Sequence, residues 1–242
     1  MKDVDSKPVR AAVIIPAYRE EKRIIPVVTA IREQGVDVVV VDDGSPDRTG
    51  AVAKAAGAIV VRLEVNQGKG VALNTGFKYA QENGYDVVIT MDADGQHDPK
   101  ELPKFIEAYE RTRVPVLIGS RMADLKTMPR VRRWTNLFMS WLLSRMMGQY
   151  VADTQCGYRL YRCDVLPFVP AGAERFAAES ETLLRMADRG IRMDSVRIST
   201  IYGDEKSKIN PVTDTVRFFG MLLKYRRERR RKSSKLHELL KE

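Results

Sequence analysis

The feature that most constrains this chain is a series of short Val/Ile-rich runs, each closed by a turn or an acidic residue. The runs are Val9–Ile15, Val36–Val41, Ala58–Leu63, Val87–Met91 and Val114–Ile118. Near-continuous β-branched runs suit strands covered on both faces, as in parallel sheets. Between them lie patterns of helical period, Glu21–Glu33, Asp47–Ala56, Gly70–Glu82 and Pro99–Arg111. Asp47 and Asp98 are expected N-caps, with Pro99 at a first helical position. Strand–helix alternation over half the chain predicts a doubly wound α/β sheet, whose ligands bind beyond the C-terminal strand ends. That rule selects Pro16–Glu20, Asp42–Ser45, Asp92–Gln96 and Gly119–Arg121.

After Arg121 the pattern changes. Trp134, Leu137, Phe138 and Trp141 follow an i, i+3, i+4, i+7 stripe, with Asn136, Ser140 and Ser144 on the other side. Leu142, Leu143, Met146 and Met147 widen the apolar surface beyond one seam. A second amphipathic segment, Val212–Tyr225, sets Val212, Val216, Phe219 and Leu223 on one face. Tyr158–Tyr161 and Val196–Ile201 read as strands and Ser180–Arg189 as a helix, all within one continuous domain over residues 1–210. Residues 211–242 form an amphipathic helix and a basic tail. The segment Lys224–Lys235 holds eight basic residues and one acidic, so seven of the chain's nine net positive charges reside there. Such a run can meet nucleic acid, anionic lipid or only water, and taken alone the solvated reading is favoured. No stretch of about 18 apolar residues predicts a membrane span. The charged N-terminus and two cysteines, Cys156 and Cys163, point to a reducing, cytosolic setting.

Three stretches carry chemistry. In TMDADGQHDP, Asp92 and Asp94 face the same way if the chain is extended, and Gln96 continues the alternation. Two converging carboxylates call for a shared cation, and Mg²⁺ or Mn²⁺ held by few protein oxygens leaves room for phosphate. A calcium-binding EF-hand is excluded, because its glycine and glutamate positions fall on His97 and Pro103. His97 is expected as an outer neighbour and Asp98 as a cap. In VVVVDDGSPDRTG, Asp42 and Asp43 need donors, which a nucleobase and ribose supply. NQGKGVALNTG is neither a phosphate-binding Walker loop nor a GxGxxG fingerprint, which argues against a nicotinamide dehydrogenase. Lys69, at a helix start, suits a phosphate or an acidic neighbour. Cys156 reads as a small buried residue rather than a nucleophile.

Together IIPAYREE, VVDDGSPDRT, NQGKGVALNTG, MDADGQHDP, GSR, DTQCGYRLYR and GDEKSK resemble family 2 glycosyltransferases, in the dolichyl- or polyprenyl-phosphate mannosyltransferase-like branch. Arg19 departs from the pattern, where Asn is common, and the C-terminal membrane helices of some members are absent. The resemblance implies a GT-A fold, a Rossmann-like doubly wound mixed sheet with flanking helices, and inverting transfer from a nucleotide sugar. By family pattern Pro16, Ala17, Tyr18 and Glu20 line the nucleotide pocket and Asp42 contacts the base or ribose, with Asp43 adjacent; Lys69 and Ala93 are further candidates for binding the nucleotide sugar. Asp92, Asp94 and Gln96 hold the metal and diphosphate, and Arg121 faces a phosphate.

A lipid phosphate acceptor is already ionised near neutral pH, so positioning by cations suffices in place of a general base. Arg121, Arg133, Lys206 and Lys208 are the candidate clamp, with Asp153 and Gln155 close to the pocket. The donor expected is GDP-mannose, with UDP-sugars open, and the acceptor a polyprenyl phosphate. Arg132 and Arg133 before a broad apolar helix suit peripheral attachment to the cytosolic face of an anionic membrane, with or without an integral-membrane partner. Two rivals remain: a saccharide hydroxyl acceptor, needing Asp153 or Glu179 as base, and a nucleic-acid-binding module built on the basic tail. Strand-end carboxylates disfavour the second.

Overall fold

The computed structural model describes residues 8–122, 130–170, 175–199, 218–229 and 231. Seven strands form one sheet in the order β3-β2-β1-β4-β6-β5-β7. They are β1 (Ala11–Ala17), β2 (Asp37–Asp42), β3 (Ile59–Arg62), β4 (Val87–Thr90), β5 (Val116–Ser120), β6 (Arg159–Arg162) and β7 (Met193–Arg197). The helices are α1 (Ile24–Arg32), α2 (Thr49–Ala55), α3 (Lys69–Glu82), α4 (Leu102–Thr112), α5 (Arg130–Met147) and α6 (Arg175–Ala187). A further helix, α7, spans 218–229.

Every expected strand and helix in the first 120 residues is present, with ends shifted by no more than three residues. Val38–Val41, Val87–Ile89 and Val116–Ile118 are almost wholly buried, as strands covered by helices on both faces must be. Asp98 does cap a 3-10 turn, Pro99–Glu101, by accepting from the Lys100 N–H at 2.9 Å. Asp47 accepts from the Thr49 N–H at 3.1 Å, at the start of α2. Strand β7 begins at Met193, three residues before the expected Val196, and α6 begins five residues before the expected Ser180.

The direction of β6 matters most for function. β1, β2, β3 and β4 run parallel, whereas β6 is antiparallel to both β4 and β5. An antiparallel strand starts where its parallel neighbours end. Thr90, the last residue of β4, therefore pairs with Arg159, the first of β6, and the 153–158 loop arrives at the same edge as Pro16, Asp42 and Asp92.

Helices α5, α6 and α7 share a second apolar cluster, in which Leu143, Leu184, Phe218, Met221, Leu222 and Tyr225 are buried. The Tyr225 hydroxyl donates to Asp188 at 2.7 Å, and Arg185 reaches Glu228 at 3.0 Å, so the described part of the C-terminal helix is docked on the body. Of the expected stripe, Phe219 and Leu223 share the exposed face of this helix, while Phe218, Met221, Leu222 and Tyr225 face inward. Val212 and Val216 lie outside the described residues.

Helix α5 likewise turns its aromatic stripe outward and its polar side inward. Trp134, Phe138 and Trp141 are 72%, 50% and 60% exposed, while Asn136 and Ser140 are 7% and 4%. The two serines of this face are bonded, whereas the buried Asn136 Nδ2 has no hydrogen-bond partner among the described residues. Ser140 Oγ accepts from the Thr154 N–H at 3.0 Å and lies 3.2 Å from the Thr154 hydroxyl. Ser144 Oγ accepts from the Val151 N–H at 3.0 Å.

Candidate active site

At the end of β1, Ala17 accepts from the Asp43 N–H at 2.9 Å, which ties the first two strand ends together. Pro16 and Ala17 close β1, Tyr18 is exposed beyond it, and Glu20 is buried with its N–H donating to Thr49 Oγ1 at 2.9 Å. Arg19, between them, has φ +60°, the left-handed region.

Asp42 is wholly enclosed, and both its oxygens are used. One accepts from the Ser45 N–H at 3.0 Å and the other from Arg62 at 2.6 Å. Asp43 accepts from the Gln67 and Gly68 N–H groups at 2.7 and 2.8 Å. The donors expected from a nucleobase and ribose are thus supplied by the protein itself. Arg62 and Gln67 are too distant in the chain for their pairing to be read from the motif. Asp43 instead fixes the loop that leads into α3, whose first residue is Lys69.

The extended geometry expected for Asp92, Ala93 and Asp94 is replaced by a turn. Gly95 adopts φ +77°, and Asp94 Oδ1 accepts from the Gln96 N–H at 3.0 Å. Strand alternation therefore does not orient these two carboxylates. Asp92 instead meets Lys69 Nζ at 2.7 Å, and that ammonium also donates to Glu179 Oε1 at 3.1 Å. His97 is buried, with Nε2 3.6 Å from Asp92 Oδ2, the outer position expected of it. Desolvation alone would raise the Asp92 pKa, but Lys69 first and His97 second hold it well below the usual carboxylate range. Lys69 is likewise desolvated, yet Asp92 and Glu179 raise it above its ordinary value, so the ammonium stays charged.

Gly157 packs against this group so closely that a Cβ there would lie 3.2 Å from Asp92, 3.5 Å from Lys69 and 3.6 Å from Glu179. The neighbouring Arg159 is almost wholly buried. It donates to the Cys156 carbonyl at 2.7 Å, the Thr154 carbonyl at 2.9 Å and Glu179 Oε2 at 3.4 Å. Thr154 follows Asp153, whose buried carboxylate grips Arg121 through two bonds, Nε at 2.7 Å and Nη2 at 3.0 Å. Gln155 donates to Ser180 Oγ at 3.2 Å. The polar chain Asp92–Lys69–Glu179–Arg159 thus continues through the Thr154 backbone to Asp153 and Arg121. Burial pushes the Cys156 thiol up to about 12, the expected inert cysteine.

Arg133 is half-buried in the first turn of α5, and Lys206 and Lys208 lie outside the described residues. Glu179 and Arg159 are the residues the motif reading undervalued. Glu179 figured there only as a rival's base, and Arg159 only as a letter in DTQCGYR. Among the described residues no three His, Cys, Asp or Glu side chains converge as a metal cluster. The side chains expected there, Asp92, Asp94 and Gln96, carry carboxylate and amide oxygens. These hard donors fit Mg²⁺ or Mn²⁺ when water and a diphosphate complete the shell.

This mixed sheet, with parallel strand ends gathered along one edge and a reversed sixth strand, is a GT-A fold. The family model for glycosyl transferase family 2 matches residues 12–167, and the chain belongs to that family. It is 33% identical to a UDP-N-acetylglucosamine–dolichyl-phosphate N-acetylglucosaminyltransferase from Methanococcus voltae, covering 78% of this chain and 84% of that one. It is 32% identical to an undecaprenyl-phosphate mannosyltransferase from Micrococcus luteus, covering 79% and 84%. Among solved structures, glucosyl-3-phosphoglycerate synthase from Mycobacterium tuberculosis, in complex with Mn²⁺, UDP and phosphoglyceric acid, superimposes with a TM-score of 0.66. That match is 21% identical and covers 89% of this chain and 78% of that one. The chain is therefore an enzyme, a glycosyltransferase with relatives that act on polyprenyl phosphates. A nucleic-acid module is not needed to give it a function.

Proposed function

We propose that this enzyme transfers a hexose, with inversion, from a nucleoside diphosphate sugar to a polyprenyl phosphate at the cytosolic face of a membrane. Mannose from GDP-mannose is the first donor to test, and UDP-N-acetylglucosamine the second, since the named relatives divide between these sugars. The observation that carries the reading is helix α5. Its aromatic face points outward, while its polar face is bonded to the loop that fixes Arg121. A surface suited to lipid and a cation suited to phosphate are thereby parts of one rigid connection. In this reading attachment is peripheral, through α5 and the basic residues of α7; among the described residues no helix is long and apolar enough to cross a membrane.

In this reading Pro16, Ala17, Tyr18 and Glu20 flank the nucleotide. Asp42 and Asp43 act through the loops they hold. Asp92, Asp94 and Gln96 would hold Mg²⁺ or Mn²⁺, which when bound supplies Lewis-acid stabilisation of the leaving diphosphate. Lys69 adds a second positive charge beside that diphosphate. Arg121, with Arg133, Lys206 and Lys208, orients the acceptor phosphate.

The saccharide-acceptor rival needs a free carboxylate base. Asp153 is closed in a two-bond pair with Arg121, and Glu179 faces both Lys69 and Arg159. Neither is placed to take a proton from a hydroxyl.

The test is incubation of the purified protein with a nucleotide-sugar panel, Mg²⁺ or Mn²⁺, and a short polyprenyl phosphate, followed by mass spectrometry of the lipid. A lipid-linked hexose is expected, lost by on the order of 100-fold in Asp94→Asn. Transfer to a free saccharide with no lipid product would overturn the acceptor, and full activity in Asp94→Asn would overturn the metal assignment.

A further inference from the structure

Lys69 occupies an unusual place for a residue beside a diphosphate site. Its ammonium lies 2.7 Å from Asp92 Oδ1, one of the oxygens assigned above to a divalent cation. We propose that Lys69 holds the cation position at Asp92 in the donor-free protein, and that Glu179 is the berth to which it withdraws. Metal entry then depends on the arrival of the nucleoside diphosphate. The inference rests on the donor-site reading above and extends it to the order of binding.

Three observations support it. First, the Lys69 ammonium is already shared between two carboxylates, with Glu179 Oε1 at 3.1 Å. Moving from one to the other takes a small rotation of a half-exposed side chain. Second, both ends of the exchange are fixed. The backbone before Lys69 is pinned by Asp43 at Gln67 and Gly68. Glu179 is held by Arg159, which is itself locked by the Cys156 and Thr154 carbonyls. Third, all three side chains gather against the Gly157 backbone, where a Cβ would crowd Asp92 at 3.2 Å and stand in ordinary contact with Lys69 and Glu179 at 3.5 and 3.6 Å.

An ammonium in contact with a carboxylate oxygen and a divalent ion on the same carboxylate repel strongly at such separations. Metal alone must therefore displace Lys69 against its attraction to Asp92. A diphosphate relieves the conflict, because it brings negative charge that Lys69 can meet beside Glu179. The site would then take metal and nucleotide as a unit, and would resist filling by metal in the absence of donor.

A charge-conserving variant separates this plug from general electrostatics. Lys69→Met with Glu179→Gln removes one positive and one negative charge, so the net charge of the site is unchanged. Mn²⁺ binding to the full chain is followed by loss of the free-ion electron paramagnetic resonance signal, with and without GDP or UDP. Without nucleotide, the double variant is expected to bind Mn²⁺ at least about tenfold more tightly than wild type. The tightening produced by nucleotide should be large in wild type and small in the variant. Lys69→Gln alone provides a second reading if the double variant folds poorly, and should shift in the same direction. Equal or weaker Mn²⁺ binding by well-folded variants would overturn the plug while leaving the donor-site reading intact. Nucleotide-dependent Mn²⁺ binding that is indifferent to Asp92→Asn would overturn both.

Discussion

The strand-end floor and helix α5 break the usual inside–outside rule in opposite directions. At the floor, charges are buried: Asp42, Asp153 and Arg159 are almost wholly enclosed, and each is matched by an opposite charge or a fixed dipole. On α5, apolar groups are exposed, with Trp134, Phe138 and Trp141 facing outward and Ser140 facing in. Buried charge is costly and persists only where partners are complete. Exposed aromatic stripes are equally uncommon on a surface that meets only water. The first inversion suits a polar, phosphate-bearing ligand and the second suits a lipid. An enzyme joining a nucleotide sugar to a lipid phosphate would need both, and they meet where Ser140 of α5 holds Thr154.

The floor is where a single change should cost most. Asp153→Asn keeps the shape but leaves Arg121 buried against a neutral amide. Removing one member of a buried pair typically costs about 3–5 kcal/mol. Urea unfolding should show a loss of that size, together with impaired transfer. Asp164→Asn, which breaks the exposed Arg162–Asp164 pair, should change stability by less than about 1 kcal/mol. Equal costs at the two positions would mean that burial does not distinguish the floor.

Helix α5 should respond in the opposite sense. Replacing Trp134, Phe138 and Trp141 together by Ser removes exposed apolar area, so folding stability should scarcely fall. Binding to vesicles containing anionic lipid should drop on the order of 100-fold, since each buried aromatic contributes roughly 1.5–3 kcal/mol when fully transferred and less when partly inserted. Leu143→Ala, on the opposite face of the same helix, is the control. It should destabilise by about 2–5 kcal/mol and leave vesicle binding of the folded protein unchanged. Unaltered vesicle binding in the triple variant would remove α5 from the membrane surface.

The two regions were legible in the sequence to different degrees. The strands could be read because Val38–Val41 and Val87–Ile89 are apolar on both faces, a pattern that needs no knowledge of partners. The α5 stripe was equally visible in its period, but periodicity fixes only which residues share a face. Which face meets solvent depends on Thr154 and Val151, which bond the polar side. At the floor, the motifs located Asp42, Asp92 and Arg121 but not what holds them. Lys69 and Glu179 are 110 residues apart, and β6 brings Arg159 to the site only because it runs against β4. The turn at Gly95, which reorients Asp94, needs a left-handed glycine that the letters DADG permit without requiring.

The smallest predicted effect concerns Arg19, the one residue of the first motif that departs from its family. Its φ of +60° places it in the left-handed region, which costs most non-glycine residues about 1–2 kcal/mol and which Asn tolerates better. An Asn at this position would suit that backbone better than Arg does. Arg113, at the end of α4, has φ +53° and offers an internal comparison. Each arginine lies over the ring of a preceding tyrosine, Arg19 at 5.2 Å from Tyr18 and Arg113 at 5.4 Å from Tyr109. Replacement by Asn should relieve part of the strain and forfeit a cation–π contact worth about 0.5–1 kcal/mol. A net gain near 0.5 kcal/mol at either position would raise Tm by about 1–2 °C. The two variants should part company in binding: Arg19→Asn, beside the nucleotide pocket, should alter the KM for the donor, and Arg113→Asn should not. A matching KM change in both would show that Arg19 acts through the fold alone, and would take its side chain out of the donor site.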